Sequence, residues 1–225
     1  MTGPGAGDEP AAGDEPAAGP ETVADWLVRR VDKGTGPARD RITGAIGQLG
    51  AVDRAVYQAI AATPTPALDE PLRRLSRAAD KSKIWFAIIG VLAVAGGPAG
   101  RRAAVRGSLA IGATSALVNL GVKPLLERAR PDRAGAGVPG VRQVRMPEST
   151  SFPSGHSASA FAFATAISRD RPWLALASGF TAAAVAYSRI HTGVHYPGDT
   201  VVGSLIGAST GLAVAGLLDS LPTDQ

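Results

Sequence analysis

The sequence predicts an all-α protein: a transmembrane helical bundle of about five spans, preceded by an amphipathic helical N-terminal region. Three observations predict it. The first 80 residues are polar and charged, whereas residues 84–218 are mostly Ala, Val, Leu, Ile and Gly. The apolar part falls into runs at 84–99, 103–122, 157–168, 173–190 and 200–218. Their Ala/Gly-rich composition suits close helix packing in lipid, where small residues let backbones approach.

Residues 1–21 repeat the hexamer GDEPAA from Gly7 and from Gly13. This acidic, Pro/Gly-rich stretch has nothing to bury and is expected to be a disordered tail. It lacks the basic and apolar regions of a signal peptide. Residues 22–80 form an interrupted amphipathic helical region. Thr22 caps a helix through Val31 with Val23, Trp26, Leu27 and Arg30 at helical spacing. After a break at Gly34–Pro37, residues 39–62 place Ile42, Ile46, Leu49, Val52, Val56 and Ile60 on one face. Asp53 and Arg54 argue against this segment crossing a bilayer. Beyond Pro64 and Pro66, Leu68, Leu72 and Leu75 mark another helix, with Arg73, Arg74 and Arg77 on its polar side. Two readings stay open: a helical subdomain packed on itself or on the main body, or helices lying in the lipid interface.

Residues 81–219 form the predicted transmembrane domain. About 20 helical residues cross a hydrocarbon core of about 30 Å. The 157–168 run reaches only about 18 Å and is expected to begin inside the protein. A soluble bundle is disfavoured, because five such runs leave little polar surface. Zero Cys excludes a disulfide scaffold, a thiolate metal site and cysteine catalysis. The formal net charge is +4, and nothing points to nucleic acid.

Three polar clusters interrupt the apolar runs: Lys123 with Arg130-Pro131, then Pro153-Ser154-Gly155-His156, then Ser188-Arg189 with His195 and Asp199. With antiparallel spans they share one face. Charges are costly in lipid unless they pair or line a cavity, so this convergence is the strongest functional signal. The residue types fit phosphoryl transfer. Lys123, Arg130 and Arg189 supply positive charge, the arginines as planar forks matched to phosphate oxygens. The Ser154 hydroxyl and the N–H groups of Gly155 and His156 can donate at a helix N-terminus. His195, with Asp199 one helical turn on, suits a nucleophile held in one tautomer, which leaves His156 as general acid. Three cations make a metal unnecessary, and the same cations disfavour a metal at His191, His195 and Asp199.

The pattern K-x6-RP (Lys123 to Pro131), PSGH (Pro153 to His156) and SR-x5-H-x3-D (Ser188 to Asp199) resembles the type 2 phosphatidic acid phosphatase superfamily. That family includes lipid phosphate phosphatases and vanadium haloperoxidases. The resemblance covers roughly residues 80–218, with no motif residue substituted. It implies His195 as nucleophile, Asp199 as its partner and His156 as acid. Lys123, Arg130, Ser154, Gly155 and Arg189 are implied as phosphate ligands, with no metal or cofactor. It implies hydrolysis of a phosphomonoester or pyrophosphate on a polyprenyl-linked or phosphatidyl lipid through a phosphohistidine. Membrane members often have six spans, against five here. The Ala/Gly/Arg-rich composition hints at a high-GC organism, and there the resemblance extends to a phosphatase acting on decaprenylphosphoryl-5-phosphoribose in arabinan precursor synthesis. Undecaprenyl pyrophosphate and phosphatidylglycerol phosphate are the other candidate substrates, and a vanadate-binding haloperoxidase is the reading outside the class.

Other residues invite plainer readings. Arg128 and Arg133 are expected to be solvated or to meet headgroups, and His191 to be a bystander. Asn119 is expected in an interhelical hydrogen bond, and Trp85 and Trp173 as interfacial aromatics. Residues 132–150 are either a plain loop or a lid. A multi-pass cell-membrane protein of five spans has its N-terminal region on the side of the site. A charged N-terminus stays more easily in the cytoplasm, so a cytoplasmic-facing site is expected.

Overall fold

The structure, a computed structural model, describes residues 38–221, with side chains from Gly50 onward. The expectations for residues 1–37 lie outside the described residues. The chain divides into two units, Met1–Gln48 and Leu49–Gln225, and every contact below belongs to the second.

The described residues are all-helical, without strands. Seven helices follow in order: α1 (Ala38–Ala62), α2 (Pro66–Ala78), α3 (Lys83–Ala95), α4 (Gly97–Ala116), α5 (Gly155–Ala166), α6 (Pro172–His191) and α7 (Pro197–Ser220). The breakers act where the sequence places them. Pro sits in the first turn of α2, α4, α6 and α7, where a missing N–H is harmless. α4 continues into a π-helical turn, Leu117–Val122, closed by the Lys123 N–H on the Val118 carbonyl at 3.0 Å. Such turns are rare and gather at functional sites.

Gly97–Val122 and Pro197–Ser220 are long and apolar enough to cross a membrane. The remaining runs fall short for physical reasons. α3 has 13 residues and α5 has 12, rising only about 20 and 18 Å. α6 has 20 residues but carries Arg189 and His191 in its last turn.

α5 is the central element, packed against α4, α6 and α7. A stripe of glycines on α7 makes its closest approach possible. An added Cβ would lie 2.5 Å from the Ser154 carbonyl at Gly203 and 2.0 Å from the Ala158 carbonyl at Gly207. At Gly211 it would meet Thr165 Oγ1 at 2.1 Å. On the opposite side of α5, Phe163 stacks on Trp85 with ring centroids 5.3 Å apart. Trp85 is 1% exposed, a core residue rather than the expected interfacial aromatic, whereas Trp173 is exposed. At the end remote from the three motifs, Asp170 and Asp219 pair with Arg102, Arg106 and Arg169, tying α4 and α7 to the α5–α6 turn.

In the two helices before α3 the most buried residues are not the valines and leucines. In α1, Val52 and Val56 are exposed while Tyr57 and Ala61 are buried. In α2, which packs on α6, the buried residues are Asp69 and Ser76. Buried Arg142, from the 132–150 segment, donates to Asp69 at 2.8 Å and to the Ile60, Ala61 and Thr63 carbonyls. It thereby satisfies the free carbonyls at the end of α1. Residues 50–80 thus pack on the helices that carry the motifs.

Gly207→Ala is expected to destabilise the protein by about 1–3 kcal/mol, the usual penalty of overpacking. Gly179→Ala, where an added Cβ meets nothing within 4 Å, should be neutral or mildly stabilising. Thermal denaturation in detergent checks the pair, and equal effects would remove the close α5–α7 contact.

Candidate functional site

The three motifs meet at one end of the bundle. Lys123 follows the π-turn of α4, Gly155 and His156 open α5, and His195 lies in the short turn between α6 and α7. These residues and Arg130 line one pocket of about 260 Å³.

His195 is 2% exposed. Its Nδ1 lies 3.4 Å from Asp199 Oδ2, and its Nε2 lies 3.4 Å from Arg130 Nη1. A carboxylate only accepts, so Nδ1 carries the proton and Nε2 keeps its lone pair. Burial pushes the imidazole down from 6.5 to about 4, against the pull of Asp199, with Arg189 and Arg130 adding to the depression. His195 is therefore neutral at neutral pH, the form a nucleophile needs.

Asp199 is fully buried and well supplied with donors. Arg128 Nη1 reaches Oδ1 at 2.8 Å, while the Ser151 hydroxyl and the Tyr196 N–H, at 2.9 Å, reach Oδ2. Arg128 also donates to Asp53 Oδ2 at 2.6 Å and lies over the Tyr196 ring at 4.2 Å. Asp53 in turn accepts the Gly198 N–H at 2.6 Å. Arg128 is thus not the solvated or headgroup-contacting residue expected: a fixed pair of buried carboxylates recruits it. Arg133 differs from expectation in the same way, donating to the Gly193 and Val144 carbonyls.

The cations of the first motif converge on Ser149. Arg130 spreads its fork over the Ser149, Thr150 and Val194 carbonyls, at 2.8, 3.1 and 2.8 Å. Lys123 Nζ donates to Ser149 Oγ at 3.0 Å. Burial, and then the neighbouring Arg130 guanidinium, lower the Lys123 ammonium from its ordinary value. Burial also lowers Arg130. Two cations pressed together in a half-buried pocket favour an anion between them.

Ser154 and Arg189 do not line the pocket. Ser154 is buried and caps α5, its Oγ accepting from the Ser157 N–H and hydroxyl. Its own N–H donates to the Asp199 carbonyl at 2.9 Å. The cap leaves the N–H groups of Gly155 and His156 without a partner among the described residues. Arg189, 1% exposed, donates to Ser76 Oγ at 2.7 Å and lies 3.7 Å from Asp80. His156 Nε2 lies 2.8 Å from the same Asp80 Oδ1.

Beyond the motif residues, Thr114, Ser115, Asn119 and Ser159 line the pocket. Asn119 bonds within its own helix, to the Ser115 carbonyl and hydroxyl, rather than between helices. The buried Thr114 hydroxyl has no partner among the described residues. His191 pairs with Thr65 at 2.9 Å and Asp69 at 3.3 Å, apart from the His195–Asp199 pair. Sequence spacing gave no hint of Asp53, Asp80 or Ser151. Arg128 carried only the faint signal of a charge two residues before Arg130.

A model of the PAP2 superfamily matches residues 104–220. Over 98 residues the chain is 38% identical to the decaprenylphosphoryl-5-phosphoribose phosphatase of Mycobacterium tuberculosis, in strains CDC 1551 / Oshkosh and H37Rv alike. That match covers 41% of this chain and 49% of the relative, so the chain spans about half the length of the curated relatives it matches. A transmembrane PAP2-type phosphatidylglycerolphosphate phosphatase from Bacillus subtilis shares the fold, with TM-score 0.62 and 23% identity over 79% of this chain and 90% of that one. LpxE from Aquifex aeolicus does too, with TM-score 0.60 and 24% identity over 72% and 94%.

A buried neutral His195 leaves a signature in stability. An unfolded imidazole titrates near 6.5 and the folded one at about 4, so between these values the unfolded chain binds more protons. The contribution is complete above 6.5 and is lost as pH falls through about 4. Wild-type protein in detergent should therefore lose thermal stability over this range more steeply than His195→Gln. Parallel curves would contradict a buried neutral imidazole.

Proposed function

The chain belongs to the PAP2 superfamily, and from that premise we propose that it is a membrane-embedded lipid phosphate phosphatase working through a phosphohistidine without a metal. The observation that carries this reading is the His195 pair: Nδ1 held towards Asp199, Nε2 unprotonated and within reach of Arg130, in a pocket also lined by Lys123 and His156. Lys123, Arg130 and the free N–H groups of Gly155 and His156 hold the phosphoryl oxygens. Arg189 adds charge from behind the wall, and Ser154 acts by holding those N–H groups towards the ligand. His195 Nε2 attacks phosphorus, and His156 protonates the departing oxygen. Water then attacks the phosphohistidine, giving a proton to His156, and His195 leaves.

The membrane reading rests on where apolar surface lies. Val94, Leu120, Trp173 and Phe180 are 87%, 79%, 82% and 72% exposed. Buried positions on the same helices include Thr114, Ser178, Ser188 and Arg189. This inversion suits lipid contact around a polar interior. We take α3 to α7 as the bundle in the membrane, crossing five times, with short α5 recessed at the site. Residues 50–80 and the site then share one side, taken as cytoplasmic.

The pocket wall favours a hydroxylated headgroup. Thr114, Ser115, Asn119 and Ser159 offer hydroxyl and amide groups beside the two histidines, partners for sugar hydroxyls. A polyprenyl phosphate carrying a phosphorylated pentose fits this wall, in line with the activity named for the mycobacterial relative.

Phosphate release should be assayed over a panel of polyprenyl-phosphoryl sugar phosphates, polyprenyl pyrophosphate, phosphatidic acid and phosphatidylglycerol phosphate. Turnover should survive EDTA and fall at least about 10³-fold in His195→Ala, which removes the attacking group. Retained turnover in that variant would refute the nucleophile, and silence across the panel in the wild type would refute the activity.

A further inference from the structure

Asp80 stands outside the three motifs and outside residues 104–220, which match the family, yet it reaches the site. It begins the turn Asp80–Ser82 between α2 and α3. Its Oδ1 lies 2.8 Å from His156 Nε2 and 3.7 Å from Arg189 Nη1. The backbone beside it is held in an uncommon shape. Lys81 and Ser82, neither of them glycine, have φ of 53° and 59°. Consecutive left-handed residues are unfavourable and persist where the surroundings impose them, often at functional sites. Ala79, Lys81 and Ser82 line the same pocket as His156.

We propose that Asp80 is a positioning residue for the general acid, holding His156 by Nε2–H so that Nδ1–H faces the oxygen that leaves phosphorus. This rests on the phosphatase reading above. A carboxylate accepts only, so the short contact assigns a proton to Nε2. Nδ1 is then the nitrogen available to the pocket. The same contact stabilises the imidazolium, the form that can give a proton away. The two histidines are thereby distinguished by which nitrogen meets a carboxylate. Asp199 binds His195 at Nδ1 and leaves Nε2 unprotonated for attack; Asp80 binds His156 at Nε2 and leaves Nδ1 to donate.

In the first step the His195 Nε2–phosphorus bond forms. The phosphorus–oxygen bond to the lipid breaks with its electron pair on oxygen, and that oxygen takes the His156 Nδ1 proton. In the second, water oxygen bonds to phosphorus, its proton goes to His156 Nδ1, and the bond to His195 breaks. Asp80 keeps its own charge throughout. The groups facing His156 from the elements around it are Asp80 and Lys81 in the turn, Lys123 after α4, Arg189 on α6, and His195 and Arg130 across the pocket. Asp80 is the carboxylate in that set, and the cations oppose it. The hydrogen bond from His156 holds the Asp80 carboxyl below its usual range, although its side chain is 48% exposed.

The chain has three histidines, so each imidazole can be followed in histidine-labelled protein by nitrogen NMR, assigned with His156→Ala and His195→Ala. In Asp80→Asn the His156 titration should move to lower pH by about one unit, the lower end of the effect of a neighbouring opposite charge. His195 signals should stay in place and report an intact fold. Asp80→Glu should restore part of the shift. On the best lipid substrate of the panel, Asp80→Asn should lower kcat about 10- to 100-fold. The alkaline limb of its pH profile should move the same way, with KM changed less than about 3-fold. An unmoved His156 titration overturns the proposal, as does an unmoved alkaline limb with a raised KM, the mark of an anchor for Arg189 alone. Failure of the phosphatase reading shows differently, as wild-type protein silent on every lipid or His195→Ala still active.

Discussion

The structure depends on a buried carboxylate that is fully satisfied. Asp199 has no exposed surface and accepts from Arg128, Ser151, the Tyr196 N–H and His195. An unpaired carboxylate in that position would be strongly unfavourable, and removing one partner of such a group costs several kcal/mol. Its donors come from the first motif's loop, the segment before α5 and the start of α7. Satisfying one group therefore fixes three parts of the chain against each other. The carbonyl of the same residue accepts the Ser154 N–H, so the N-terminus of α5 is set by the residue that orients His195.

Around this point small residues and hydroxyls share the interior with Trp85, Phe163 and Ile167, while other large apolar side chains face outward. The glycines of α7 allow its backbone to lie on α5 without intervening side chains. That contact brings the turn bearing His195 against the helix end bearing His156. Close packing and the geometry of the candidate site are two aspects of one helix contact here. At the far end, arginine–aspartate pairs join the same helices.

The motif residues were legible because their chemistry is local: a proline, a glycine and a histidine at a helix start, or a carboxylate one turn after an imidazole. The all-helical class followed from the composition of the apolar runs. Of the five runs expected to span, two lie in helices long and apolar enough to cross a membrane, since α3 and α5 are too short and α6 too polar near its end to pass on length and composition alone. The supporting residues were not legible at all. Asp53 and Asp69 lie on helices whose leucines and valines predicted an apolar inner face, and Asp80 in the turn that follows them. These carboxylates meet Arg128, Arg142 and His156, which lie on distant segments. Arg128 looked like a solvated charge for the same reason: a sequence shows a charge but not the partner folded back from 75 residues away.

The π-turn at Leu117–Val122 sets the rotational phase of everything that follows it. An α-helix advances about 100° per residue, and a single wide turn absorbs one extra residue. Val118 can thus stay in the interior while Lys123 comes round to Ser149. Had the coil stayed regular, the ammonium would point about a quarter of a circle away. The angular placement of the first cation is therefore a property of chain length between Thr114 and Lys123 as much as of residue identity. Loss of one residue from that stretch would let the coil become regular with the charge still in place, whereas loss of two would swing it aside by about a quarter of a circle, with every motif residue still present.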